Sequence, residues 1–409
     1  MKCRHCATEL SLPFLDLGSA PPSNAYLTAT TINAPEVWYP LRLLVCQHCW
    51  LVQTEDHAGR EALFTDDYAY FSSFSSSWLA HAKGYVQAMQ ARFGLNAASQ
   101  VVEIASNDGY LLQYVQAAGV PCYGIEPTAS TAAAAKAKGI HVVERFFGVA
   151  LAQELAAQGQ QADLTAANNV LAHVPDINDF VAGFAVLLKP QGVATFEFPH
   201  LQQMVQQCQF DTAYHEHYSY LSLTAVQRIF AANGLQVFDV QELPTHGGSL
   251  RVFAQRADTG SQPIAPAVQQ VLVAETAAGI QTAEFYSQFA LQPMRIVREL
   301  LSFLTSTAHA GHPVAAYGAA AKGNTLLNFA GVRPHLLPYV VDKNPAKQGK
   351  FLPGSRIPIL DESFLRAQQP RYVLILPWNL QAEVMEQLSY IREWGGRFVT
   401  AVPGLVIRP

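Results

Sequence analysis

The sequence has few charged residues, no excess of basic ones and no long hydrophobic run, and each absence excludes a class of function. Charged residues make up 14% of 409 positions and the formal net charge is −5, so no basic surface provides affinity for nucleic acid. No stretch of eighteen apolar residues forms a candidate membrane span. No apolar signal segment follows Met1. We therefore expect a cytoplasmic protein without nucleic-acid or membrane partners.

Length and hydrophobic content indicate a compact protein of more than one domain. Half of the residues are hydrophobic, which is more than a disordered chain carries. A chain of 409 residues is too long for one ordinary hydrophobic core. Two or three domains are therefore expected.

Cysteine is scarce, yet four of the six cysteines form two C-x-x-C pairs. Cys3 and Cys6 make the first pair, and Cys46 and Cys49 make the second. Four thiolates gathered from two such pairs make a tetrahedral zinc site with no open coordination position. We therefore expect a structural zinc. A pair of redox dithiols is the alternative, which the lack of a thioredoxin-like strand before either pair disfavours.

A strand, turn and helix pattern over residues 101–112 indicates the start of a doubly wound α/β sheet. The strand carries Glu103, and the turn runs from Ala105 through Asn107 to Gly109. Ligands bind at the carboxyl ends of the strands in this architecture. The turn lacks a G-x-G-x-x-G motif, which disfavours a pyrophosphate. It therefore favours S-adenosylmethionine, which has a ribose and no phosphate, over NAD or FAD.

Three further residues extend the predicted cofactor site. Glu126 ends the second strand, where a carboxylate is placed to bind the hydroxyl groups of a ribose. Phe147, or its neighbour Phe146, follows the third strand. Residues 163–174 are predicted as the fourth strand, with Asn168 at or beyond its exit. We expect Phe147 and Asn168 to contact the adenine and the methyl donor, and the 105–109 turn to lie beside the methionine part of the cofactor.

Residues 213–220 combine two histidines, a carboxylate and three phenols in eight positions. In an extended conformation Tyr214 and Glu216 share one side and His217 the other. At a helix start, Tyr214 and His217 instead stack at i,i+3. Either arrangement places an orienting group beside an imidazole, so we predict His217 as a general base oriented by Glu216 or Tyr214. A half-buried packing role is the alternative.

An α/β pattern restarts near residue 311 and predicts a second Rossmann-like lobe. Lys322, in a turn of small residues that also holds Asn324, stands at a helix N-terminus suited to a phosphate. Arg251, after the 245–249 turn, offers a second positive charge to substrate phosphates. The alternatives are a plain hairpin turn with Arg251 paired to a surface acid and, for the whole lobe, a scaffolding role.

Several motifs together resemble a known family. The strand-turn-helix pattern over residues 101–112, the acid at Glu126 and the later LLKPQGV turn are together typical of one group of enzymes. In these features the chain resembles class I S-adenosylmethionine-dependent methyltransferases. The resemblance narrows, over nearly the whole chain, to sugar C-methyltransferases acting at C3' of nucleotide-linked 4-keto-6-deoxysugars. It is carried by the C-x-x-C pairs and by the motifs EIASNDGYLL, NNVLAHVPDIND, YHEHYSYLS and AAYGAAAKGNTLLN.

The resemblance implies a set of catalytic residues, a substrate class and a reaction. The catalytic residues it implies are Tyr68, His173, Tyr214, Glu216 and His217. Tyr68 and His173 would face the keto oxygen or ring hydroxyls of a dTDP- or GDP-linked sugar, which the second lobe helps to bind. The expected reaction removes the proton next to the ketone and methylates the resulting enolate. An O- or N-methyltransferase, or a non-catalytic zinc-containing nucleotide-sugar binding protein, is the alternative.

These observations predict three units and leave the oligomeric state open. We expect a zinc module over residues 1–60 and a methyltransferase domain over 61–255 that begins with a helical lead-in at 61–99. A C-terminal Rossmann-like lobe preceded by helices is expected over 256–409. The sequence does not distinguish a monomer from a weak dimer.

Overall fold

The computed structural model describes residues 1–57, 59 and 71–409. Its strands form three sheets and are, in chain order, β1 (Leu12–Ala20), β2 (Tyr39–Val45), β3 (Val52–Thr54), β4 (Val101–Ile104), β5 (Cys122–Ile125), β6 (Val142–Val143), β7 (Ala162–Asn168), β8 (Leu188–Pro199), β9 (Ser219–Tyr220), β10 (Leu235–Leu243), β11 (Ser249–Arg256), β12 (Val314–Tyr317), β13 (Val340–Val341), β14 (Ile359–Leu360), β15 (Tyr372–Ile375), β16 (Arg397–Thr400) and β17 (Val406–Arg408).

The α-helices of the described part lie between these strands. They are α1 (Ser76–Phe93), α2 (Leu112–Ala117), α3 (Ala129–Ala137), α4 (Val149–Ala157), α5 (Ile177–Leu187), α6 (Leu201–Gln206), α7 (Leu223–Ala232), α8 (Pro266–Ala278), α9 (Ala283–Ser287), α10 (Gln292–His309), α11 (Ala321–Phe329), α12 (Ser363–Gln368) and α13 (Gln381–Gln387). Within the described ranges, no helix is long and apolar enough to cross a membrane.

The first sheet joins the N-terminal region to the middle of the chain. Its strand order is β1-β2-β3-β9, and the neighbouring strands are antiparallel. The first cysteine pair precedes β1 and the second lies between β2 and β3, whereas β9 belongs to the histidine- and tyrosine-rich stretch. The sequence does not predict this pairing, because the paired residues Gln53 and Ser219 are far apart in the chain.

The second sheet confirms the predicted doubly wound domain. Its order is β10-β11-β8-β7-β4-β5-β6. Strands β4 to β8 are parallel, and β11 lies antiparallel between β8 and β10. All four residues of β4 are buried, as expected for a parallel strand covered on both faces. Two hydrophobic clusters contain residues of this sheet and its helices.

The third sheet confirms the predicted Rossmann-like lobe. Strands β14, β13, β12, β15 and β16 are parallel, and β17 adds an antiparallel edge. The fully buried strand Val314–Tyr317 lies near the middle. Its carboxyl end leads through Gly318 into helix α11, so this loop lies at the sheet edge where ligands bind.

Candidate active site

A cavity of about 360 Å³ lies between the three sheets. Asn24 of the N-terminal region, Glu126 after β5, His217 before β9 and Lys322 of the second lobe all line it. Its walls therefore include the carboxyl ends of two parallel sheets, where α/β proteins bind ligands. Strand β9 closes a third side.

The predicted proton-transfer stretch forms a tight turn, and Tyr214 and His217 meet inside it. The His217 N–H donates to Tyr214 O at 2.9 Å, which closes one turn without starting a helix. The two rings lie 3.9 Å apart between centroids. Their Oη and Nε2 atoms are 2.8 Å apart. The i,i+3 contact is therefore present, and only residues 219–220 of this stretch are extended as a strand.

The second ring nitrogen of His217 fixes the neutral tautomer. His217 Nδ1 lies 2.9 Å from Thr212 O, and a carbonyl only accepts, so Nδ1 carries the proton. Nε2 is then an acceptor and receives the Tyr214 hydroxyl proton in a hydrogen bond. Burial lowers the pKa of His217 well below its usual range, and nearby His173 and Lys322 lower it further. The imidazole is therefore neutral at pH 7 and able to accept a proton.

His173 lies beside His217, with 4.6 Å between the ring centroids. Its Nδ1 donates to Glu216 O at 2.9 Å, and burial lowers the pKa of His173 to about 4. The Nε2 of this neutral ring is therefore an acceptor, which suits a ring hydroxyl rather than an enolate oxygen. The strand before it ends at Asn168, because Asn169 is left-handed with φ 53°.

The carboxylate of Glu216 points to the zinc module. Both of its oxygens lie 2.8 Å from Asn24 Nδ2. Tyr214, and not the Glu216 carboxylate, is hydrogen-bonded to the His217 imidazole. Of the predicted catalytic residues, the structure brings together His173, Tyr214, Glu216 and His217, whereas Tyr68 lies outside the described residues.

The predicted cofactor turn has an unusual backbone. Ala105, Asn107 and Gly109 all have positive φ, at 58°, 49° and 75°. This conformation is strained for Ala105 and Asn107, and such strain is concentrated at functional sites. A Cβ at Gly109 would lie 2.3 Å from Ile140 Cδ1, so a larger residue there would require the Ile140 side chain to move. The Asn107 N–H donates to Glu126 Oε2 at 2.9 Å. The turn and the end of β5 are thereby fixed together.

Five predicted cofactor residues line the cavity: Ala105, Asn107, Glu126, Phe147 and Asn168. Gly109 supports the turn from outside the cavity wall, and Glu103 is fully buried, which raises the pKa of its carboxyl well above the usual value. The cavity offers a carboxylate that can accept hydrogen bonds from a diol, and apolar side chains line its walls. The 105–109 turn has no basic side chain. These features together fit S-adenosylmethionine.

The three predicted substrate residues have different surroundings. Lys322 lines the cavity, donates to Asn379 Oδ1 at 2.6 Å and has a pKa lowered to about 8 by burial. Asn324 is buried, and its Nδ2 donates to Ser23 O. Arg251 pairs at 3.0 Å with Glu197, which is fully buried, so its partner is not a surface acid and its guanidinium is not part of the cavity wall.

Sequence reasoning missed His246 as a cavity residue. Asn169 Nδ2 and His246 Nε2 are 3.2 Å apart, and both residues have left-handed backbones, at φ 53° and 54°. Asn24 and Trp78 also line the cavity. The available signal for His246 was a histidine immediately before two glycines. Nothing local to Asn24 predicts its contact with Glu216.

The four paired cysteines form one cluster in the zinc module. All four Sγ atoms lie within 4.8 Å of one another. The Ala7 N–H donates to Cys3 O, and the Trp50 N–H donates to Cys46 O, so each pair is bent into a tight turn. Four converging sulfur ligands fit a tetrahedral zinc ion. The predicted structural zinc is therefore placed on these thiolates, while His5 Nδ1 contacts Asn178 Oδ1 instead.

Replacing Cys46 by Ser should release zinc and destabilise the protein. Because the metal supplies folding free energy directly, we expect the melting temperature to fall by about 10 °C. Differential scanning fluorimetry with zinc analysis by atomic absorption checks this. Cys122→Ser is the matched control, since Cys122 lies outside the cluster. Full zinc content in Cys46→Ser would contradict the assignment.

The fold and cavity define a class of enzyme. In the doubly wound sheet, the antiparallel strand β11 lies between β8 and β10. The carboxylate of Glu126 lies at the end of β5. No phosphate-binding glycine motif lies between β4 and α2. This arrangement is that of an S-adenosylmethionine-dependent methyltransferase. Family models match in three segments, described as a zinc binding domain (3–64), a methyltransferase domain (78–240) and a C-methyltransferase C-terminal domain (244–403).

One relative covers almost the entire chain. The C-methyltransferase NovU of Streptomyces niveus is 33% identical over 402 residues, which is 98% of this chain and 95% of the relative. The chain therefore belongs to this family of S-adenosylmethionine-dependent C-methyltransferases, as the resemblance predicted.

Solved structures of methyltransferases match part of the chain. Magnesium protoporphyrin IX methyltransferase from Synechocystis PCC 6803 is 17% identical and covers 44% of this chain and 79% of its own, with a TM-score of 0.34. The 1,6-didemethyltoxoflavin-N1-methyltransferase of Burkholderia thailandensis is 16% identical and covers 51% and 96%, with a TM-score of 0.37.

Proposed function

We propose that the protein methylates C3' of a nucleoside-diphosphate-linked 4-keto-6-deoxysugar. The observation that supports this most directly is the neutral His217 imidazole, hydrogen-bonded to Tyr214 inside the cavity. A carbon becomes a nucleophile when the proton next to a ketone is removed, and a neutral imidazole is able to accept such a proton. The similarity to a C-methyltransferase supports carbon as the acceptor.

The proton has two routes to the imidazole. In the first, His217 Nε2 takes the C3' proton directly. In the second, Tyr214 gives its hydroxyl proton to Nε2 while its oxygen takes the C3' proton. In both, the C–H electron pair becomes the enolate double bond and the negative charge moves to the ketone oxygen. The Nδ1–H bond to Thr212 O then stabilises the imidazolium.

The charge that develops on the ketone oxygen needs a donor or a cation. Among the cations that line the cavity, we choose Lys322, because its charge lowers the pKa of both His217 and His246. In this proposal the Lys322 ammonium group binds the enolate oxygen, and His173 Nε2 accepts a hydrogen bond from a ring hydroxyl. Preorganised charges of this kind are often the largest single contribution to catalysis.

The cofactor side of the cavity is assigned to residues of the second sheet. Glu126 would accept hydrogen bonds from the ribose hydroxyls, Phe147 and Asn168 would contact the adenine and donor, and the 105–109 turn would hold the methionine part. When bound, S-adenosylmethionine supplies an electrophilic methyl group and leaves as a neutral thioether. The chain's own contribution is to hold the acceptor carbon in line with that group and to exclude water.

Replacing Glu126 by Gln should weaken cofactor binding about 10- to 100-fold, since it removes a charge-assisted hydrogen bond and places an amide against the Asn107 N–H. Isothermal titration calorimetry with S-adenosylhomocysteine measures the change. Glu144→Gln is the control, because Glu144 is half exposed and pairs with Lys136. An unchanged dissociation constant in Glu126→Gln would remove Glu126 from the ribose site.

Two measurements test the proposed function. Incubation with S-adenosylmethionine and a panel of dTDP- and GDP-linked 4-keto-6-deoxysugars should add one methyl group by mass spectrometry. In heavy water, the C3' proton should exchange for deuterium. An ether or amine product without exchange would favour an O- or N-methyltransferase. Failure to bind S-adenosylmethionine would favour a nucleotide-sugar binding protein.

A further inference from the structure

The zinc module and the proton-transfer turn share one sheet. Val52 pairs with Tyr220, and Gln53 pairs with Ser219. The Thr54 N–H donates to Tyr218 O at 3.2 Å, and Thr54 Oγ1 donates to His217 O at 3.0 Å. The backbone from 217 to 220 is therefore held by a strand that begins three residues after the second cysteine pair.

Arg4, inside the first cysteine pair, reaches both histidine loops. Its Nη1 donates to Pro175 O at 2.9 Å, two residues after His173. Its Nη2 donates to Thr54 O at 3.1 Å, and its guanidinium lies 5.2 Å from the centre of the Tyr218 ring. The side chain is only 4% exposed. One buried cation thus connects the loops that carry His173 and His217.

Arg4 is itself fixed by the cysteine cluster. Its backbone N–H donates to Gln53 Oε1 at 2.9 Å, and Gln53 Nε2 donates to Cys3 Sγ at 3.3 Å. Cys3, Cys46 and Cys49 also belong to the hydrophobic cluster that contains Phe198 of the methyltransferase sheet. A metal on these thiolates would therefore hold Arg4 rigidly against the domain core.

A second contact from the N-terminal region reaches the same turn. Asn24 Nδ2 donates to the Glu216 carboxylate, and the Glu216 carbonyl accepts from His173 Nδ1. The cofactor turn is held by other elements, since Asn107 bonds to Ser72 N and to Glu126. The contacts of Arg4, Thr54 and Asn24 thus lead to the proton-transfer side of the cavity.

We infer that the zinc module acts through Arg4 as a positioning device for His217 and His173. The inference rests on the proposed function. Arg4 sets the distance between the His217 imidazole and the substrate carbon without touching either. Loss of Arg4 should therefore slow proton removal while leaving cofactor binding intact, because a shift of about 1 Å at the base costs up to a hundredfold in rate.

The test compares Arg4→Gln with Arg42→Gln, which removes a half-exposed arginine of the same module. In the zinc-loaded full chain, we expect C3' deuterium exchange and kcat to fall about 10- to 100-fold in Arg4→Gln, with zinc content unchanged and S-adenosylhomocysteine affinity within about twofold. Arg4→Lys, which keeps the cation, should recover part of the exchange rate. Arg42→Gln should match the wild type.

An additional readout separates this inference from the proposed function. The imidazole nitrogen resonances of His217, assigned by their absence in His217→Asn, should shift in Arg4→Gln even without substrate. Wild-type protein that exchanges no C3' proton would reject the proposed function alone. Unshifted His217 resonances with normal exchange would overturn the inference. So would a parallel loss of exchange and cofactor affinity in both Arg4 variants. If Arg4→Gln does not fold, Arg4→Lys decides between these outcomes.

Discussion

Replacing His217 by Asn should lower kcat at least about a thousandfold while changing S-adenosylmethionine affinity less than about twofold. The imidazole is half-buried, neutral and hydrogen-bonded on both nitrogens, so asparagine retains the approximate shape without the proton acceptor. Methyl transfer by mass spectrometry and cofactor affinity by calorimetry measure the two quantities. Near-normal turnover in this variant would exclude His217 as the base.

The matched control is His309→Asn, because His309 is exposed at the end of α10. A companion variant, Tyr214→Phe, separates the two proton routes. If His217 takes the proton directly, Tyr214→Phe retains most of the C3' exchange. If the Tyr214 oxygen takes it, exchange falls as far as in His217→Asn.

Replacing Lys322 by Met should lower kcat about 100- to 1,000-fold and change the pH profile. The ammonium group carries its charge below its pKa of about 8, so wild-type activity should fall as the pH rises through about 8. His217 is neutral above its lowered pKa, so the acid limb should lie well below pH 6.5. Lys322→Met should lose the alkaline limb. Initial rates from pH 5 to 10 measure both.

The same variant decides between two roles for Lys322. An ammonium group that stabilises the enolate affects kcat, whereas one that binds a substrate phosphate raises KM and leaves kcat nearly unchanged. Lys83→Met is the control, since Lys83 is exposed on α1. A normal kcat with a raised KM would return Lys322 to the phosphate-binding role that the sequence suggested.

Local patterns in the sequence predicted the parts of this protein whose structure depends on near neighbours. The spacing within each cysteine pair indicated thiolate ligands, and the strand-turn-helix pattern with Glu126 indicated the cofactor domain. The Tyr214–His217 contact was among the alternatives because i,i+3 residues meet in any helical turn. The strand expected through residue 174 was too long, because Asn169 turns the backbone into the left-handed region.

Arg251 shows why a charge in a turn is a weak indicator of function. The sequence around Arg251 predicts a phosphate contact or a surface ion pair. In the structure β11 lies inside the sheet, so Arg251 enters the protein interior and pairs with Glu197. Strand order, which brings Glu197 beside it at 3.0 Å, is not encoded near either residue.

The sequence by itself determined the three kinds of unit, the zinc ligands and the residue types available for proton transfer, because these follow from local spacing and composition. Only the tertiary structure decided which residues act together. Three features depend on contacts between distant segments of the chain. They are the pairing of β9 with the zinc module's sheet, the Asn24–Glu216 contact across 192 positions and the contacts of Arg4 with two loops. Such contacts form because chain folding buries shared apolar surface, and no local pattern records them.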